Sequence, residues 1–405
     1  MAPDTDFCTL NPEPSLLSKL DCALPISHPL GNVNVLHVFP YSPRISGGHS
    51  NAIRNFIQCQ RPRGINAVAI APRTDSPVAL DWGFPLLETD LPAGLQWEAL
   101  DREFGLRVGN TVVHLHNVER AHLPFLSQLH SARVPHVYTS HGQLNFRGVI
   151  HWLKKFVYLH LLDSGPRRAG GIHLLTQVAA QRLPRLLPRF HGPVLVQGNL
   201  ADVAALAATP PCERSEFGLP ADVFVLLFLG RLDVHVKGLD FLLRAYAALP
   251  AEKFRLVMAG PEWQAGRAQL DLLARELGCR DRIHFTGPLY GEKKWGLLRL
   301  ADAFVSPSRW DAFPVAMIEA MAAGLPVVTS NKIGPAQEFA QAQAALVVPL
   351  DETALAQAIA KLEAEPEERK ALAQRGRAWA ELNCSPERAG ARFGEFYEAV
   401  LTKTN

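Results

Sequence analysis

Phe304-Val-Ser-Pro-Ser-Arg-Trp-Asp-Ala-Phe-Pro-Val-Ala-Met-Ile-Glu-Ala-Met-Ala-Ala-Gly-Leu-Pro-Val-Val328 reads as a short buried strand, a loop, a helix and a second strand. Strand, helix, strand is the repeating unit of a parallel sheet. Two carboxylates interrupt its apolar character: Asp311 in the loop and Glu319 within the helix, seven residues intervening. Pro314 suits the first helical position, where a missing N–H costs nothing. Gly324 suits the C-terminal cap. A carboxylate at Glu319 is costly to bury unless hydrogen-bond donors reach it. The N–H groups of Val315 and Ala316 at the helix start have no partner within the helix, and such ends bind anions. The segment offers an anion site and, one turn further on, a carboxylate that can accept from hydroxyls.

The same alternation extends in both directions. Upstream, strands are expected at 224–230, 255–260, 283–287 and 303–307, with helices near 239–247 and 267–277. Downstream come strands at 326–330 and 345–348, two polar helices at 352–362 and 366–382, and an amphipathic helix at 386–401. The first half shows its own series, with strands at 33–39, 67–71, 111–116, 135–140, 172–176 and 194–197. Helices are expected there at 51–61, 123–131 and 152–162. Strands alternating with helices argue for parallel sheets covered on both faces. The chain has 405 residues, too many for one ordinary core. We therefore expect an α/β protein of two Rossmann-like, doubly wound domains facing across a cleft. Residues 1–32 are Pro-rich and aperiodic and read as an extension. The first domain spans 33–200 and the second 201–385, and the helix of 386–405 crosses back to the first. Ligands of open α/β sheets bind beyond the carboxyl ends of the strands, which places the site in the cleft.

Composition sets further limits. A hydrophobic content of 48% supports a packed globular protein, and a net charge of +2 gives no preference for nucleic acid. Cys8, Cys22, Cys59, Cys212, Cys279 and Cys384 are scattered, without metal-ligand or redox spacing, and fit a reducing cytoplasmic setting. No signal peptide or membrane-spanning run is read.

Several strand ends carry polar residues. Gly230-Arg-Leu-Asp-Val-His-Val-Lys-Gly238 follows a buried strand, so Arg231 and Lys237 could meet one diphosphate and stabilise a departing nucleotide. Solvated surface cations are the commoner fate of such residues. The bracketing glycines and the strand-end position favour the site. Gly47 and Gly48 lie between the first strand and its helix, where glycine lets backbone amides approach a ligand; taken alone, they equally describe a turn. His141 ends another strand and is followed by Gly142, which sets it apart from His114, His116 and His136, read as structural. Gly260 and Leu289 sit at neighbouring strand ends that could flank a flat base or be ordinary turns. The basic and aromatic residues between Gly142 and Arg168 suit either a membrane surface or a helix with a solvated basic face. A nucleotide sugar carries both the diphosphate and the ribose diol that the opening segment suits. The missing G-x-G-x-x-G disfavours a nicotinamide enzyme.

Together these motifs resemble the retaining glycosyltransferases of family 4, with the GT-B fold. The resemblance covers most of the chain after Asn32 and is strongest over 224–330. It implies that Arg231 and Lys237 hold the donor diphosphate. It also implies that Gly47, Gly48 and Gly230 approach the donor and that His141 lies near the donor sugar. The family's acidic pair falls on Asp311, beside the transferred sugar, and Glu319, on the ribose. Amides of Phe313, Val315 and Ala316 then meet sugar and phosphate. The chain departs from the family pattern at Asp311, one methylene shorter than the usual Glu, and at Pro314, where Gly is usual. The resemblance implies a hexose transferred with retention from a UDP- or GDP-sugar to a glycan or lipid-linked glycan, as in bacterial polysaccharide or glycolipid assembly. It implies no metal or other cofactor, and a cytoplasmic protein with peripheral membrane contact. A sugar-nucleotide 2-epimerase of the same fold, or a donor-binding protein without turnover, are the alternatives.

Overall fold

The computed structural model describes residues 33–40, 48–73, 83–89, 96–117, 123–142, 168–201, 206 and 208–404. The N-terminal extension, Gly47 and the helix expected at 152–162 lie outside them.

The first half contains β1 (Asn34–Val38), α1 (Gly48–Gln60), β2 (Asn66–Pro72), β3 (Leu86–Thr89), α2 (Trp97–Phe104), β4 (Thr111–His116), α3 (Leu123–Ser131), β5 (His136–Thr139), β6 (Gly171–Leu174), α4 (Gln177–Leu186) and β7 (Val194–Val196). Its strands form one parallel sheet in the order β3-β2-β1-β4-β5-β6-β7. The second half contains β8 (Phe224–Leu229), α5 (Leu239–Ala247), β9 (Phe254–Ala259), α6 (Gly266–Glu276), β10 (Ile283–Gly287), α7 (Gly291–Leu300), β11 (Ala303–Ser306), α8 (Val315–Ala322), β12 (Val327–Ser330), α9 (Ala336–Gln341) and β13 (Leu346–Val348). These strands form a second parallel sheet, ordered β10-β9-β8-β11-β12-β13. Three helices follow: α10 (Glu352–Ala364), α11 (Pro366–Cys384) and α12 (Pro386–Thr404).

Continuous apolar runs explain the central strands. Phe224-Val-Leu-Leu-Phe-Leu229 is buried along nearly its whole length, as a strand covered on both faces must be. The chain order reverses between β1 and β4 in the first sheet and between β8 and β11 in the second. Such reversals leave a crevice at the strands' carboxyl ends. Five elements lacked a sequence expectation: β3, whose residues are only half-buried, and the helices α2, α4, α7 and α9.

The last helix packs on the first sheet's side of the molecule. It lies along α1, and its Phe393 ring stands against Phe56, His173 and Tyr397. Phe396 and Val400 close over Gly171, where a side chain larger than hydrogen would collide with both. The tyrosyl oxygen of Tyr397 lies 3.1 Å from Gln60 of α1 and 2.7 Å from His114 of β4. One apolar core therefore runs from Val35 and Phe56 through Phe393 to Phe313 and Met317.

Removing the Phe393 ring should cost about 3–5 kcal/mol, the range for a large aromatic truncated in a full core. Phe393→Ala measured by urea denaturation should show that loss without a change in secondary-structure content.

Candidate active site

The loop after β8 and the loop after β11 are laced together at the crevice of the second sheet. Arg309 N–H donates to the Val236 carbonyl at 2.9 Å, and the Arg309 guanidinium grips Asp240 through two bonds of 2.7 and 2.6 Å. Gly238 opens α5 in the left-handed region (φ 65°), and a Cβ there would lie 2.1 Å from the Pro307 carbonyl oxygen. Only glycine meets both demands. This lacing sets the Lys237 ammonium 2.5 Å from Asp311 Oδ2, with both side chains largely covered. Arg231 lies 3.0 Å from Asp233 Oδ2, and its guanidinium stacks 4.0 Å from the Trp263 ring centre. Asp233 also accepts from the Val236 N–H at 3.0 Å, so one buried acid shapes the loop and holds the cation. Gly230 and Gly260 meet at the ends of β8 and β9, where a Cβ on Gly260 would strike the Gly230 carbonyl at 1.8 Å.

Helix α8 begins beside this pair. The helix start is one residue later than the sequence places it: Pro314, at φ −73° and ψ 111°, is the residue before the first helical position. Proline fixes φ and leaves ψ free, and here ψ is extended. No side chain caps this end, so the Val315 and Ala316 amides remain open to a ligand. The Phe313 amide is differently placed. It donates to Asp311 Oδ1 at 3.2 Å, while the Phe313 ring is buried against Gly198 and its carbonyl accepts from Asn199 at 2.6 Å. Asp311 thus holds both Lys237 and the Phe313 amide.

Glu319, a turn into the helix, is buried. Burial raises its carboxyl pKa, opposed by the Lys294 ammonium at 2.8 Å. Lys294 comes from α7, a helix with no sequence expectation, and it also rests 3.7 Å over the Trp295 ring. The donor that Glu319 requires is therefore a lysine that no motif marked.

The first domain supplies His141. Its backbone N–H donates to Asn117 Oδ1 at 3.0 Å, and Asn117 adopts the left-handed conformation (φ 61°) that asparagine tolerates. His49, one residue after Gly48, stands edge-on to His141 at 4.2 Å between ring centres. Burial lowers both imidazole pKa values, that of His49 to about 4. Gly142 touches Trp310 and Ala312, so close that a Cβ would sit 2.6 Å from the indole. His141 and Asp311 are thereby on facing loops. Helix α1, which Gly48 opens, touches α8. Leu289 packs against the main core from the loop after β10. Glu338 of α9 spans the domains as well, accepting from the Gln177 N–H of α4 at 2.8 Å. No helix among the described residues is long and apolar enough to cross a membrane. The basic and aromatic stretch that suggested membrane contact lies outside the described residues up to Arg168.

Residues 212–379 match the family described as glycosyl transferases group 1. The chain is 33% identical over 211 residues to the lipopolysaccharide core biosynthesis glycosyltransferase LpsD of Rhizobium meliloti, covering 50% of this chain and 60% of that one. It is 40% identical over 120 residues to D-inositol 3-phosphate glycosyltransferase of Mycolicibacterium smegmatis, covering 29% and 27%. The match thus spans 60% or less of the length of these curated relatives. Among solved structures, sucrose-phosphate synthase from Thermosynechococcus elongatus superposes with a TM-score of 0.73 at 18% identity, over 92% of this chain and 100% of that one. Anabaena Alr3699/HepE in complex with UDP-glucose gives 0.71 at 18% identity, over 91% and 100%. The chain therefore has the GT-B fold, and its second half is similar over residues 212–379 to the group 1 glycosyl transferases.

Two outcomes follow from the charges at this site. Lys294→Met leaves Glu319 buried and unpaired, which should cost about 3–5 kcal/mol in urea denaturation, and adding Glu319→Gln should recover most of it. Burial lifts the Glu338 carboxyl from 4.5 to about 7, against the opposing pull of the Gln177 and Val178 amides. Its folded pKa is above its unfolded value, so its contribution is full below 4.5 and lost as pH rises through about 7. Glu338→Gln keeps the acceptor and removes the titration. Its Tm relative to the unaltered protein should climb across that window and level off above it.

Proposed function

We propose that the chain is a retaining glycosyltransferase of family 4 that moves a hexose from a nucleotide-diphosphate sugar to a hydroxyl of a glycan or lipid-linked glycan. One observation carries the reading. Arg231, Lys237 and the open start of α8 converge at the carboxyl ends of β8 and β11, with Glu319 one turn along the helix.

The cations and the Val315 and Ala316 amides face the charge that grows on the leaving diphosphate, and fixed donors of this kind stabilise a transition state without reorganising. No metal is invoked, because two cations and a helix start supply the charge. The diphosphate takes the place of Asp311 beside Lys237 and of Asp233 beside Arg231. Asp311, released from the ammonium, and His141 on the facing loop then position the sugar. Because Asp311 occupies the Phe313 amide, Val315 and Ala316 make the backbone contacts to the donor. Glu319 gives Oε1 to Lys294 and has Oε2 for the ribose hydroxyls. Gly260 and Leu289 flank the base, and Gly48 at the start of α1 closes on the donor from the first domain.

The curated relatives act in lipopolysaccharide core and inositol phosphate glycosylation, and a structural neighbour holds UDP-glucose. These support a nucleotide-sugar donor and a role in glycan assembly; a cytoplasmic place is part of the proposal.

A thermal-shift screen against UDP-, GDP-, ADP- and dTDP-sugars should raise Tm with one base. With that donor, Lys237→Ala should cut nucleotide release by a factor on the order of a hundred, the scale for losing one preorganised charge stabiliser. Glu319→Gln should mainly raise KM. Normal turnover in the lysine variant would overturn the assignment. Epimerised donor without acceptor would instead identify a sugar-nucleotide epimerase.

A further inference from the structure

Behind His141 a chain of hydrogen bonds crosses the first domain. His141 Nε2 lies 3.1 Å from His116 Nδ1, and His116 Nε2 lies 2.9 Å from His37 Nδ1. His37 Nε2 meets Gln60 Oε1 at 3.0 Å, and Gln60 Nε2 meets the Tyr397 hydroxyl at 3.1 Å. That hydroxyl is 2.7 Å from His114 Nδ1, whose ring reaches Thr139 Oγ1 through Nε2 at 2.5 Å. Thr139 Oγ1 is 2.8 Å from His173 Nδ1, and His173 Nε2 ends on the Gln197 backbone carbonyl at 2.7 Å.

The last link decides all the others. A carbonyl oxygen only accepts, so His173 carries its proton on Nε2 and its Nδ1 must accept from Thr139. The threonine has one proton, so it accepts from His114 Nε2. His114 Nδ1 then accepts from Tyr397, which accepts from the Gln60 amide. Gln60 Oε1 accepts from His37 Nε2, His37 Nδ1 from His116 Nε2, and His116 Nδ1 from His141 Nε2. Each ring carries one proton, as burial requires: it pushes His37 and His173 down to about 4 and holds His114, His116 and His141 well below the usual imidazole value. The polarity is unique, and it leaves His141 Nδ1 without a proton and without a partner among the described residues. His37, His114 and His116 also offer ligand atoms within 4.8 Å of one another, as a metal site would. Every nitrogen of these three rings is already hydrogen-bonded, however, and His114 and His116 are stacked at 4.3 Å, so a metal would have to dismantle the chain.

We infer that Thr139, Gln60 and Tyr397, with the four buried histidines, are positioning residues that fix His141 as the Nε2–H tautomer, so that its Nδ1 accepts a hydrogen bond from a hydroxyl of the transferred sugar. The tautomer follows from the fold alone; the sugar contact rests on the glycosyltransferase reading.

Long-range 1H–15N spectra of histidine-labelled protein test the tautomer directly, with the His141 signal identified by its loss in His141→Gln. The expected result is a neutral ring protonated at Nε2 in the unaltered protein. A proton on Nδ1 would overturn the proposal, as would a shift of the chain's rings to metal-bound forms in protein purified without added metal. Thr139→Val breaks the chain and should give His141 a mixture of tautomers, whereas Thr139→Ser should restore the single form. Tyr397→Phe, which cuts the chain elsewhere, should repeat the effect and covers the case of a valine variant that does not fold. Retention of pure Nε2–H in both cut variants would overturn the relay. With the donor found by thermal shift, kcat should fall about tenfold in Thr139→Val, the scale for losing an orienting partner behind a working imidazole, and return in Thr139→Ser. An altered tautomer with unchanged kcat would overturn the sugar contact. Absence of any donor binding would instead count against the glycosyltransferase reading, and the spectra would still decide the relay.

Discussion

The contact between Gly238 and the Pro307 carbonyl is the constraint on which the site depends. It holds two strand-end loops so close that backbone meets backbone, and the Arg309–Asp240 pair keeps them there. Lys237 and Asp311 are side chains on either bank of that junction. Their separation is set by the loops, not by their own attraction. The same junction fixes where Phe313 enters the core, and the buried Phe313 ring fixes the start of α8. Anion site, paired charges and helix start are one rigid body built on parallel strands.

Electrostatics gives that rigid body its state without ligand. Lys237, Arg231 and Lys294 each have an acidic partner, and none of these acids lies more than a turn from the open end of α8 or the loops facing it. A concentrated positive site would repel itself and draw in any anion. Matched to Asp233 and Asp311, the cations are held in place at small net charge. A diphosphate, with two negative groups and many acceptor oxygens, can outcompete a single carboxylate at each, whereas a monovalent anion cannot easily do so. If the proposed donor binds here, selectivity for a dianionic group is a property of the pairing.

Much of this was legible in the sequence. Buried parallel strands appear as apolar runs, so β8, β9, β11 and β12 could be read nearly to the residue. Asp311, Glu319, Arg231 and Lys237 stood out because charge at a strand end or in an apolar helix needs a reason. Lys294 did not, because α7 carries Gly291, Gly296 and four charged residues that blur its helical period. Pro314 was misplaced by one residue because proline reveals φ and not ψ. The histidines were hardest. Each is unremarkable alone, and only the register of the sheet aligns them: His37 pairs with His114, His116 with Thr139, and Thr139 with His173. The spacing of His114 and His116, two apart on one strand and so on one face, was the single sequence signal available.

Tyr397 has a consequence for how the molecule comes into being. It reaches Gln60 across 337 positions of sequence. During synthesis the strands of the first sheet emerge early and have a long interval in which to pair. Throughout that interval His114 and Gln60, both buried in the finished protein, lack the hydroxyl that satisfies them. An unsatisfied polar group in a closed core is expensive, so the first domain is held open to water until α12 arrives. Vectorial growth of the chain therefore delivers its two halves in an unexpected order. The second domain is able to close on itself first, and the N-terminal one is finished last, by the most C-terminal helix described.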